Sequence, residues 1–253
     1  MPQYNIVHFQ NPDPAKETAF ADWQRRELAP VILELPGVVA IRHFNLQPVQ
    51  LQPPNFQPFR FATIYELETE NPTALFPEIT KHARTAPKSL GLLKEDVAHL
   101  FELTRPFIAS PNAPDPNVPF HVAFVMGNCI IGKETEYNEW YDNVHSHEVL
   151  GTPGFIGMRR GEICAVQLDP ADAQPANRLV LLMLRTPDLF LSIEEFIDRA
   201  FGRSKSGISW APRENAASFA SLQRTTHVFS PYTPRLAKPS ADGPLSAALL
   251  AQS

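Results

Sequence analysis

NPDPAKETAFADW, residues 11–23, and NCIIGKETEYNEW, residues 128–140, are one segment written twice. The offset of 117 residues holds without a gap from Pro2 to Arg42. It carries LELPGVVAIR (33–42) onto LGTPGFIGMR (150–159). Identical pairs include Asn11 with Asn128, Lys16-Glu17-Thr18 with Lys133-Glu134-Thr135, Trp23 with Trp140, Leu33 with Leu150, Pro36-Gly37 with Pro153-Gly154 and Arg42 with Arg159. A period this long is the size of a small domain rather than a solenoid unit, so the chain is read as two homologous domains.

Hydrophobic periodicity gives each copy the same order of elements. In the first, YNIVHF is a strand, residues 15–35 a helix, VVAIRHFNL and FRFATIYEL strands, residues 74–86 a helix and VAHLFELT a closing strand. The second repeats this with FHVAFVMG, a helix over 134–150, FIGMRRGEICAV, RLVLLMLR, a helix over 192–201 and FASLQRTTHVF. A βαββαβ unit forms a four-stranded antiparallel sheet with both helices on one face, and its bare face needs an apolar cover. The second copy supplies it. The expected fold class is therefore α+β, with two ferredoxin-like βαββαβ repeats closing on each other as an intrachain barrel. Residues 1–110 form the first repeat, 111–118 a Pro-rich linker, 119–235 the second repeat and 236–253 a tail without strand pattern, free or strapped across the surface. A Pro-rich insertion, residues 46–59, separates two strands of copy one.

Composition narrows the function. Cys129 and Cys164 stand in unrelated apolar contexts without CxxC or Cys/His spacing, as expected of small core residues in a reduced, cytoplasmic protein. The N-terminus has no basic stretch followed by an apolar one, and no run of 18 apolar residues occurs, so neither export nor a membrane partner is expected. A net charge of −5 argues against a nucleic-acid partner. GxxxxGK, GxGxxG and GxSxG are all absent.

The second copy resembles the dimeric α+β barrel superfamily, and within it the EthD-like group, in a helix of the form W-Y-D-x-x-H-x-P followed by an apolar run and a P-G-F turn. Trp140, Tyr141, Asp142, His145, Pro153, Gly154 and Phe155 stand at those positions, with His147 in place of the helix proline. Copy one keeps Trp23, Pro30 and Pro36-Gly37 but has Gln24, Arg25 and Leu28 for the Tyr, Asp and His. The resemblance spans about residues 3–232. It implies a pocket between sheet and helices that takes a small, often aromatic molecule. It does not choose among cofactor-free monooxygenases, cyclases, dehydratases, isomerases and haem enzymes.

Helical geometry sharpens the site. At about 100° per residue, Tyr137, Tyr141, His145 and Glu148 share a stripe. The offset of 117 aligns it with Phe20, Gln24, Leu28 and Val31 of copy one. The first copy's stripe is mostly apolar, so the second's polar groups are expected to face the sheet and meet a ligand. The first copy's pocket is expected to be filled by Phe20, Leu28 and Val31. A bland alternative is a core histidine bonded to a backbone carbonyl.

A metal site is not expected. His145 and His147, two residues apart, point to opposite sides of the helix, and no third ligand accompanies His145 with Glu148 or Tyr141. His145 is therefore assigned as general acid/base with Asp142 as its orienting carboxylate and Tyr141 as a phenol donor. Tyr137, Trp140, Glu148, Arg159 and His121 are expected to contact substrate. Arg159 and its partner Arg42 have a second reading as structural residues paired with a helix carboxylate. His82 and His99 are candidate haem ligands by analogy alone, and no cofactor is expected.

Three functions follow. The first is a cofactor-independent lyase, isomerase, cyclase or dehydratase acting on a small hydrophobic, aromatic compound. The second is a non-catalytic binding protein, and the third an oxygenase of the same fold. Association into a homodimer through outer surfaces stays open.

Overall fold

The computed structural model describes residues 1–51, 59–110, 120–168, 176–211 and 216–238, apart from the side chains of 120 and 221–224. The first repeat runs β1 (Gln3–Pro12), α1 (Glu17–Trp23), α2 (Ala29–Glu34), β2 (Val38–Leu46), β3 (Phe61–Glu68), α3 (Pro72–Ser89), β4 (Leu93–Glu102) and a short β5 (Ile108–Ala109). The second runs β6 (Phe120–Cys129), α4 (Glu134–Trp140), α5 (Ser146–Leu150), β7 (Phe155–Ile163), β8 (Arg178–Arg185), α6 (Leu189–Ala200), β9 (Ala220–Pro231) and a short β10 (Leu236–Ala237).

Each repeat forms an antiparallel sheet, ordered β2-β3-β1-β4 in the first and β7-β8-β6-β9 in the second. They join at both seams. Phe101 and Glu102 of β4 pair with Ile163 and Glu162 of β7, while Phe44 to Leu46 of β2 pair with Pro231 to Phe229 of β9. The long strands thereby close into a barrel within one chain, with two residue pairs at one seam and three at the other. β10, from the segment expected to lack strand structure, adds Leu236 and Ala237 to the outer side of β2.

Period-two alternation sorts the side chains. Val7, Phe9, Phe44, Phe124 and Phe229 point into the barrel, where Phe124 meets the other three rings edge to face. On the outer faces Ile6, Tyr65 and Leu67 meet the helices of copy one, and Val125, Val180 and Leu182 those of copy two. Fully burying a side chain such as Phe20 or Ile32 under the first sheet contributes about 1.5–3 kcal/mol.

Each long helix of the repeat contains one π-helical turn, Gln24–Leu28 in copy one and Tyr141–His145 in copy two. The N–H of Ala29 reaches Gln24 O and that of Ser146 reaches Tyr141 O, both five residues back. In copy one Pro30 lacks the N–H that would close an α-turn. His147 removes that reason in copy two, yet the turn persists at the same place.

The first copy's helix-sheet space is filled by two of the three residues expected. Phe20 and Leu28 are buried, whereas Val31 is 45% exposed. The space is sealed by a polar cluster. Gln24 Nε2 donates to Gln10 Oε1 (3.0 Å) and Thr63 Oγ1 (3.1 Å), and the Tyr232 hydroxyl donates to Gln24 Oε1. The Tyr232 ring stacks on His43 at 5.8 Å.

Burial pushes His43 down to about 3 and His227 down to about 4. An unfolded chain takes up protons on both below about pH 6.5 while the folded chain does not, so stability falls as pH drops through that window. At pH 5 the expected loss is about 2 kcal/mol per histidine. Urea midpoints at pH 7 and pH 5 should show it, and His43→Gln should reduce the difference by about half. Equal midpoints for the unsubstituted chain would contradict the assignment.

Candidate active site

The second copy's pocket is built on the π turn. An α-helix places residues five apart about 140° from each other, whereas a π turn brings them onto nearly one face. Trp140 and His145 use this spacing, with ring centroids 4.3 Å apart and planes within 10°. Trp210 meets the same imidazole edge-on at 5.5 Å. Tyr137, Trp140, Tyr141, His145 and Glu148 all line one cavity, against Val125, Val180 and Trp210. The stripe read from the sequence thus converges.

The carboxylate that bonds His145 is Glu148, not Asp142. His145 Nδ1 lies 3.0 Å from Glu148 Oε2, and Glu148 Oε1 accepts the Ala211 N–H at 2.7 Å. Burial raises the Glu148 carboxyl, but the His145 bond and the Ala211 N–H outweigh it and hold it below its ordinary value. An ionised carboxylate only accepts, so the proton of the neutral ring sits on Nδ1. Asp142 is exposed and bonds the buried Arg160. Arg160 lies over the Tyr141 ring, 4.9 Å from its centroid. The physical reason is the buried guanidinium on β7, which draws the carboxylate away from the imidazole. Burial first, and the Tyr141 phenol next, raise the Tyr137 phenol well above its ordinary value, keeping it a donor.

Two predicted contacts lie elsewhere. His121 bonds Ser230 through Nδ1 at 2.5 Å. It stands six residues along β6 from Gly127 at the pocket, roughly 20 Å. Arg159 points to the other face of β7, into the barrel, so the sheet itself separates it from His145. Its partner Arg42 pairs with a strand carboxylate, Glu66, at 2.5 Å rather than with a helix. His147 is exposed on the far side of the helix.

Trp210 and Arg160 were not anticipated. Trp210 had a visible signal, an isolated tryptophan in the Ser- and Gly-rich stretch GRSKSGISWA (202–211). Arg160 had the alternation of the Arg159-Arg160 pair, which puts one guanidinium on each face of β7.

The cavity measures about 50 Å³, with a 10 Å³ annex bounded by Leu51, Met158 and Phe196. This is room for water, while a dry cavity of about 150 Å³ holds benzene. An aromatic compound therefore enters only if Trp140 or Trp210 turns aside. Haem, which the sequence resemblance leaves open, does not fit here. A cofactor site needs about 300–1,000 Å³, and the imidazole is covered by two indoles and tied to Glu148. Among the described residues no group of three His, Cys, Asp or Glu is placed to hold a metal ion.

Solved structures share this architecture. An anthrone oxidase-like protein superposes with a TM-score of 0.59 over 92% of each chain at 9% identity. A candidate monooxygenase from Fusobacterium nucleatum gives 0.56 over 96% of this chain and 97% of its own at 11% identity. The fold is the dimeric α+β barrel. A mutant chlorite dismutase from Candidatus Nitrospira defluvii, at 0.51 and 10% identity over 90% and 92% of the two chains, has it too. Identities this low show the fold alone. No family model and no curated protein matches the sequence. No helix among the described residues is long and apolar enough to cross a membrane.

Proposed function

We propose that this barrel is an enzyme that deprotonates a small hydrophobic aromatic compound bearing a hydroxyl or an activated C–H, without metal or organic cofactor. The observation that supports it is the Glu148–His145 pair in the cavity wall, with a carboxylate fixing one ring nitrogen so that the other serves as base. His145 Nε2 takes the proton. The Tyr137 and Tyr141 hydroxyls donate to the oxygen on which negative charge develops, and the indoles of Trp140 and Trp210 stack against the ring. The anion then expels or shifts a group, as in a lyase, dehydratase, cyclase or isomerase.

A second reading is favoured by the anthrone oxidase-like and monooxygenase neighbours. In it the same anion gives its electrons to dioxygen. A panel of phenols, naphthols and anthrones, followed by product analysis and an oxygen electrode, separates the two. Turnover without oxygen uptake supports the first and stoichiometric uptake the second. A panel in which nothing turns over leaves a non-catalytic binding protein and contradicts both.

A further inference from the structure

A second cavity is larger than the one beside His145. It occupies one end of the barrel interior, measures about 270 Å³ and is walled by strands of both repeats. Its inner side is apolar, with Ile64, Val122, Leu181 and Met183 continuing the aromatic core. Its rim is charged, with Arg42, Arg159 and Arg235 against Glu66 and Glu68.

Those charges are not matched one to one. Glu66 is shared by two arginines, Arg42 Nε at 2.5 Å and Arg235 Nη2 at 2.6 Å. Burial raises its carboxyl, and the two guanidiniums overcome this and hold it down to about 2. Arg159 Nη2 donates to the neutral Gln3 Oε1, while Gln3 Nε2 donates to Glu68 at 2.8 Å. Among the described residues no carboxylate pairs with Arg159, and its buried Nε has no acceptor. A buried guanidinium N–H left unmet is costly, and a carboxylate is a strong acceptor for it.

The wall beside Arg159 is made by close approach. A Cβ at Gly157 would lie 2.2 Å from Phe107 Cζ, so only glycine there lets Phe107 lie against β7 at the cavity. The β5 pairing of Ile108 and Ala109 with Met158 and Gly157 fixes that segment.

From these placements we propose a second binding site at the barrel end, for a small monocarboxylate with a compact apolar body, its carboxylate on Arg159 and its body against Leu181 and Met183. Among the described lining residues three arginines stand against two glutamates, a balance that suits a monoanion. The site faces the barrel interior and shares no lining residue with the His145 pocket, so it goes beyond the function proposed above.

Titration calorimetry on the full chain at low ionic strength and pH 7 tests this with benzoate, benzamide and inorganic phosphate. Benzoate is expected to bind with a dissociation constant of about 1 mM or tighter. Benzamide and phosphate are expected to bind at least tenfold more weakly. Arg159→Gln should weaken benzoate at least tenfold, and His145→Ala should leave it unchanged. Met183→Trp, which fills the cavity while keeping the guanidinium, should abolish binding and decides the matter if Arg159→Gln does not fold. Absence of benzoate binding, equal binding of benzamide or phosphate, or full binding by folded Arg159→Gln or Met183→Trp would each overturn the proposal.

Discussion

His145→Ala is expected to lower turnover of an accepted aromatic compound by about 10² to 10⁴ while leaving the barrel folded. The size follows from the role, since a positioned base that accepts the proton in the transition state typically contributes that factor. The substitution also leaves the Glu148 carboxylate without its imidazole, but Ala211 still donates to it. Neighbouring Trp140, Trp210 and Tyr141 keep most of the packing. His147→Ala, on the exposed side of the same helix, is the matched control and should leave the rate within about twofold. Full activity in His145→Ala with a lowered unfolding temperature would make His145 a core histidine.

The largest expected effect on stability lies in the first repeat, away from either cavity. Asp96 on β4 has a fully buried side chain and meets His8 Nε2 at 2.8 Å, Lys88 Nζ at 2.7 Å and the guanidinium of Arg84. Burial by itself would raise its carboxyl. The bonds to His8, Lys88 and Arg84 reverse that and hold it far below the carboxylate range. Such a group contributes stability that is complete above the unfolded value near 3.9 and is lost as pH falls below it, so at pH 7 the whole contribution is present. Asp96→Ala leaves the fully buried His8 ring without its acceptor while the partly exposed Arg84 and Lys88 stay hydrated, and stranding such a buried polar group costs about 1–3 kcal/mol. Denaturant titration at pH 7 should show this loss, against a change within about 0.5 kcal/mol for Glu78→Ala on the exposed side of α3. Equal effects from the two substitutions would mean that the cluster stabilises nothing.

The repeat made the barrel legible because a duplicated βαββαβ unit has one obvious cover for its bare face. The matches from Asn11 to Trp23 and from Leu33 to Arg42 are enough to require it. The seams also follow from that symmetry, with β4 meeting β7 and β9 meeting β2. The wall of His145, Tyr141, Tyr137 and Glu148 was legible from comparing copies, since Leu28 and Phe20 stand where His145 and Tyr137 do.

The π turn was not legible in copy two, because His147 carries an N–H that an α-turn would accept; only Pro30 in the other copy hints at it. With the turn comes the Trp140 stack on His145, while the buried Arg160 takes Asp142 and leaves His145 to Glu148. Tyr232, far along the chain, seals copy one by bonding Gln24, and no local pattern announces such a contact. The barrel-end cavity was hidden for a similar reason. Arg42, Glu66 and Arg159 each read as a polar residue in an alternating strand, and alternation does not say which face of a closed sheet is wet.

The account rests on His145 accepting a proton from an aromatic compound in the second repeat's helix-sheet pocket. The most direct measurement is the absorption spectrum of 2-naphthol bound at pH 7, because the naphtholate absorbs at longer wavelength than the neutral alcohol. The account predicts the anion's band on the unsubstituted protein and the neutral spectrum on His145→Ala at equal occupancy. The same spectrum on both proteins, or no binding by either, would contradict it.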